Sequence, residues 1–168
     1  MYSAPAHILH STELLQFAGD KMAWLQEEHN PFEFFRSSTG LHIWSPEFEQ
    51  QILPRARIIR AAPPIRYRMY DLKKGAYHRE IQERLPATYA FVPEDVWFLA
   101  SLIGEQRTGS HGPLLTTNGI GNVFFVEVTP SRILHVGIYM WQGQMRIGCL
   151  GLNDEPVQEG RRIFAKLG

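Results

Sequence analysis

Between Asn122 and Leu152 apolar and polar positions alternate in three stretches, interrupted by Thr129-Pro130-Ser131 and by Gln142-Gly143. Alternation with period two marks strands that bury one face. A two-residue turn at Gln142-Gly143 pairs Met140 with Met145, Ile138 with Ile147 and Val136 with Cys149. The three-residue connection pairs Val126 with Leu134 and Phe124 with Val136. Both registers collect the large apolar residues on one face, and a one-residue slip would scatter them. An antiparallel meander over residues 122 to 152 is therefore expected.

Elsewhere the pattern predicts helices that cover this sheet. Leu14, Leu15, Ala18, Met22 and Leu25 recur at helical spacing, giving a helix over Thr12–Glu28 that ends at Asn30-Pro31. Phe32–Phe35 and Leu41–Trp44 read as extended. Ser45-Pro46-Glu47 opens a helix that stops before Pro54. Ile65–Tyr70 alternates as a strand, with Ile65, Tyr67 and Met69 on one face and Arg66, Arg68 and Tyr70 on the other. Ala76–Leu85 and Pro93–Gln106 read as helices, the second buried through Val96, Leu99, Ala100 and Ile103. Gly109–Asn122 is a loop. Glu155–Leu167 reads as a closing helix anchored by Val157, Phe164 and Leu167. The expected class is α+β in one domain, the meander extended by strands from the first half.

Composition narrows the setting. With 168 residues and 44% hydrophobic content the chain can bury a core. The first eleven residues lack the features of a secretory signal, and no run reaches the length of a membrane helix. Cys149 is the single cysteine, so no intrachain disulfide can form. A cytoplasmic location without membrane contact is the expectation.

Charge changes the picture more. The formal net charge is zero, yet Arg55, Arg57, Arg60, Arg66, Arg68, Lys73, Lys74 and Arg79 face one acid, Asp71, in the same segment. Such a segment either meets an anionic partner or neutralises an otherwise acidic chain. The first functional expectation is a binding domain. In it Arg55, Arg57, Arg60, Arg66, Arg68, Tyr70, Lys73 and Lys74 engage nucleic acid or an acidic protein surface.

The second face of the meander supplies the alternative. It carries His135, Gly137, Tyr139 and Trp141 beside Arg146, Gly148 and Leu150, and Gly137 falls opposite Gly148. Two facing glycines admit a close neighbour. A crossing helix, for which the C-terminal one is available, is the structural candidate, and an enzyme or small-molecule pocket the functional one. His135 would then carry protons, with Glu127 and Arg146 as partners. Arg146 lies about 13 Å along the sheet from His135, which speaks against the full set. A third possibility is a homodimeric interaction module.

The remaining motifs point to packing. Cys149 falls on the core face as a small hydrophobe. Asn118–Asn122 has the glycines of a phosphate loop but leads into a strand instead of a helix. Ser110-His111 suits a turn, and His7, His10 and Glu13 sit at the chain end, where a metal site is not expected. No cofactor is expected.

Overall fold

In a computed structural model, residues 14–37, 40–106, 109–150 and 155–168 are described. Their centre is a seven-stranded mixed sheet, and the class is α+β. The strands are β1 (Leu15–Ala23), β2 (Leu41–Ile43), β3 (Ile65–Leu72), β4 (Gly121–Thr129), β5 (Arg132–Trp141), β6 (Gln144–Leu150) and β7 (Arg162–Lys166). Their order across the sheet is β1-β3-β7-β4-β5-β6-β2. The helices are α1 (Pro31–Ser37), α2 (His78–Gln82) and α3 (Val96–Gln106), with short helical turns at Phe48–Arg55 and Pro93–Asp95.

In the second half β4 pairs with β5 and β5 with β6, both antiparallel. The partners include Val126–Leu134, Phe124–Val136, Val136–Cys149, Ile138–Ile147 and Gly137–Gly148. At the β5–β6 turn Gln142 and Gly143 both have positive φ, 49° and 77°, the twist that matches two right-handed strands. The sheet as a whole is not antiparallel, because β2 joins β6 and β7 joins β4 in parallel.

Three expectations are corrected. The largest concerns the C-terminus, where β7 replaces the predicted helix and fills the slot between β3 and β4. A slot between two strands offers hydrogen bonds only to another strand. Ile163, Phe164 and Ala165 are all fully buried, Phe164 towards one face and its neighbours towards the other. Such a run suits a central strand, whereas a helix would leave part of it in water. Before it, Val157 bridges Ala76, and Gly160 turns the chain at φ 87°.

The second correction is β1. Described residues of the predicted helix over Thr12–Glu28 include a bulged edge strand antiparallel to β3. Leu14 and Leu15 are buried, but Phe17, Ala18 and Met22 are exposed, so the helical periodicity encodes no buried face. Gly19 sits at the bulge with φ 142°, a conformation open to glycine and costly for other residues. Thirdly, Phe32–Phe35 lies in α1 and is not extended. Asn30-Pro31, read as a stop, is a start: the Asn30 side-chain oxygen accepts from the Glu33 amide at 3.2 Å, and Pro31 opens the helix. His7, His10 and Glu13 lie outside the described residues.

The two sides of the sheet are packed differently. On the first, α3, α1 and the turn at Phe48–Ile52 cover Tyr67, Phe124, Val136, Ile147 and Phe164 in one continuous core. Phe124 and Phe164 stack at 4.4 Å between centroids, and Tyr67 and Phe98 approach to 4.7 Å. Burial pushes the Tyr67 hydroxyl up to about 12. On the second, Ala76, Ile81, Leu85 and Val157 cover Val123, Phe125, Ile163 and Ala165. Among the described residues that cover ends towards β5 and β6. Among the described residues no helix is long and apolar enough to cross a membrane.

Candidate functional site

The glycine pair lies where the cover ends. Gly137 and Gly148 face one another across β5 and β6, and among the described residues no helix crosses them. Trp44, just past β2, lays its indole over Gly148, where an added Cβ would fall 2.5 Å from the ring and 2.8 Å from Ser45. At Gly137 the nearest neighbour is Leu150, with 3.0 Å to its Cδ2. Beside them opens a cleft of about 240 Å³, walled by Trp44, Val123, Gly137, Tyr139, Leu150 and Arg161. The C-terminal segment expected to fill this space instead contributes one wall through Arg161.

The rim of the cleft is set by polar staples. Asn122 is fully buried at the start of β4; its side-chain oxygen accepts from the Leu115 amide at 2.8 Å. Its amide nitrogen donates to the carbonyls of Leu115 and Ile138, each at 3.0 Å. The Gly119 amide donates to Met140, and Asn118 accepts from Gln142. Asn118–Asn122 is thus turn chemistry that places Gly119 and Gly121 at the cleft, not a phosphate loop. Ser110 donates to the Glu105 carbonyl at 3.0 Å, so its hydroxyl is engaged away from His111.

Arg161 decides the electrostatics. It is half-buried, it makes no ion pair among the described residues, and no carboxylate lines the 240 Å³ cleft. Burial pulls its guanidinium below the ordinary value, the sign of a charge held in a poorly solvated place. The same side chain walls a second cleft of about 170 Å³ with His78, Leu150 and Glu155. His78, from α2, stacks on His135 at 3.8 Å, and both rings meet Phe125 edge-on. Burial first, and then the Arg161 charge, push His78 down to about 4. Burial first, and then His78, do the same to His135. At neutral pH both imidazoles are uncharged.

Orphaned polar atoms gather here. Among the described residues, Trp44 Nε1, Arg146 Nε, His78 Nε2 and His135 Nδ1 are buried without a hydrogen-bond partner. Buried polar atoms are seldom left unpaired, so their concentration on one side of one sheet calls for an explanation.

Of the residues singled out from sequence, His135 is at this face, though stacked on His78 and without a hydrogen bond to Glu127 or Arg146. Glu127 lies towards Tyr89, whose hydroxyl is raised by burial first and by the Glu127 charge second. Arg146 pairs with Tyr139, well along the strand. Cys149 is buried in the main core, its thiol pushed up to about 11 chiefly by burial. His78, Trp44 and Arg161 were missed. Arg161 was hidden by the helix assignment; on a strand it shares a face with Ile163 and Ala165.

The basic segment is dispersed. Arg55 donates to the Val128 carbonyl, Arg60 pairs with Glu28 at 3.0 Å, and Arg79 with Glu83 at 3.3 Å. Arg68 grips Asp20 through two hydrogen bonds, 2.6 and 2.9 Å, and lies over Phe17. Arg66 and Tyr70 share its side of β3, as the alternation requires. Arg57, Arg66, Lys73 and Lys74 make no ion pair among the described residues.

No family model, curated protein or solved structure matches the chain.

Proposed function

We propose that the protein binds a compact anion with an apolar body in the cleft beside Gly137. The observation that carries this reading is Arg161, a half-buried guanidinium on the wall of an apolar cleft that makes no ion pair among the described residues. A carboxylate or phosphate would pair with its planar fork. The apolar body would rest on Val123, Leu150 and Trp44. About 240 Å³ suits a metabolite-sized ligand and not a polymer. His78, one ring of the stacked imidazole pair, lines the adjoining cleft beside Arg161.

Thermal-shift titration with benzoate, phenyl phosphate and inorganic phosphate tests the reading. Stabilisation by the organic anions, lost in Arg161→Gln, is the expected result, since only the folded state would bind. Equal stabilisation of wild type and Arg161→Gln, or none of either, would refute it.

A second reading keeps the basic segment as a polyanion surface, and Arg66 supports it because it is exposed and makes no ion pair among the described residues. Arg66→Ala would then weaken binding to single-stranded nucleic acid and flatten its salt dependence. The reading carries less weight because four of the eight bases are engaged within the chain.

A further inference from the structure

A second cleft, of about 250 Å³, lies on the opposite, helix-covered side, where the chain leaves β1 and passes over α3. Its floor follows from helical spacing. Trp97, Ala100 and Ser101 stand three and four residues apart on one side of α3, and the short Ala100 leaves a hollow beside the Trp97 indole. The roof is the irregular segment 24–28, anchored where His29 and Ile59 exchange backbone hydrogen bonds of 2.9 and 3.0 Å. Phe34, from α1, closes one side.

The lining is aromatic and acidic. Trp97 is 3% exposed and fixed in the wall, while Trp24 is 56% exposed and projects over the opening. Both indoles line the same cleft and make no ring contact with one another. Glu27 and Glu28 stand at the mouth. Glu28 is paired with Arg60, but Glu27 has no ion pair among the described residues. An adjoining hollow shares Trp24 and Ser101 and adds a further carboxylate, Glu105. Among the described residues no lysine or arginine lines either space. His29 Nε2 is the fifth buried atom without a partner among the described residues, so all five lie at residues of this cleft or on the Gly137 side.

We propose that this cleft binds a methylated ammonium group, held against the exposed Trp24 indole, with Trp97 in the cleft wall and Glu27 as its counter-charge. An aromatic face attracts a cation through its quadrupole, and most strongly for a weakly hydrated one that sheds water cheaply. An acidic mouth raises the local concentration of cations and repels anions. The site is independent of Arg161 and does not rest on the anion reading.

Tryptophan fluorescence and calorimetry with choline, against its uncharged isostere 3,3-dimethylbutanol, test the charge requirement. Choline is expected to bind roughly fivefold or more tightly, the discrimination that a cation–π contact of about 1 kcal/mol supplies. A peptide carrying trimethyl-lysine, run beside its unmodified form, separates a free metabolite from a modified protein as the source. Trp24→Ala, a change at an exposed side chain, should abolish binding and keep the melting temperature, and Glu27→Gln should weaken it. Arg161→Gln should leave it unchanged. Equal binding of choline and the isostere would overturn the proposal. So would undiminished binding by Trp24→Ala, or failure of both choline and the trimethyl-lysine peptide to bind.

Discussion

The two sides of one sheet have received different treatment. The side bearing Phe124, Val136 and Phe164 is sealed over most of its width by α3 and its neighbours. Among the described residues, the side bearing Val123, His135 and Gly137 is sealed as far as β4 and part of β5, and beyond that by the Trp44 indole. Polar atoms follow the same division. Four of the five buried atoms left without a partner among the described residues belong to the second side. Packing completed by a helix leaves one such atom, His29 Nε2, at the helix edge, whereas packing completed by single side chains leaves four. The continuous core lies on the first side, whose cleft is confined to the edge of α3, whereas on the second side the cleft opens against the sheet itself.

The contrast is most exposed to large-to-small changes. Phe164→Ala should cost about 3–5 kcal/mol, because the cavity would sit amid close-packed rings that cannot collapse. Leu150→Ala should cost much less, since a cleft already opens beside it. Urea denaturation of both variants measures the difference, and equal losses would erase the distinction between the two sides.

Next in size come the glycines. Gly148→Val should destabilise by roughly 1–3 kcal/mol, since even its Cβ would strike the Trp44 ring. Gly137→Ala should be milder, because the Leu150 methyl groups can shift into the cleft, and it should reduce anion binding by filling the space. Thermal melts with and without phenyl phosphate would show both effects. A Gly148→Val protein as stable as wild type would mean that Trp44 is not held against the sheet.

A smaller effect concerns acid. His78 and His135 titrate at about 4 when folded, below the usual value near 6.5. The unfolded chain binds protons first, so stability is full above pH 6.5 and is lost as pH falls through 4. His135→Phe keeps a ring against Phe125 and removes one titrating group, so the melting temperature should fall less between pH 7 and 4. An unchanged pH profile would show that the pair does not titrate as its burial implies.

How far this could be read from the sequence depends on how local the cause is. The strands between residues 121 and 150 follow from turn length and alternation, both contained within thirty residues. Gly137 opposite Gly148 came from the same information. β7 could not, because Arg162–Lys166 becomes a strand through a slot created by residues about forty and ninety positions earlier. β1 misled for a related reason: its apolar residues mimic a helical stripe, but hydrogen bonding to β3 and the Gly19 bulge decide its form. The site inherits both lessons. His135 was legible, whereas Arg161, Trp44 and His78 reach it from separate elements that only the assembled fold brings together.

The central claim is that the open part of the second side is a ligand cleft organised by Arg161. Gly119, Gly121 and Gly137 line it, while Gly40, Gly143 and Gly160 lie elsewhere, and glycine amides are resolved in nitrogen–proton correlation spectra. Titrating the labelled protein with phenyl phosphate should shift the first three amides and the Arg161 side-chain Nε–H together, with one dissociation constant, and leave the other three in place. In Arg161→Gln the glycine shifts should vanish. Shifts that spread evenly over the surface, or that persist without Arg161, would contradict the account.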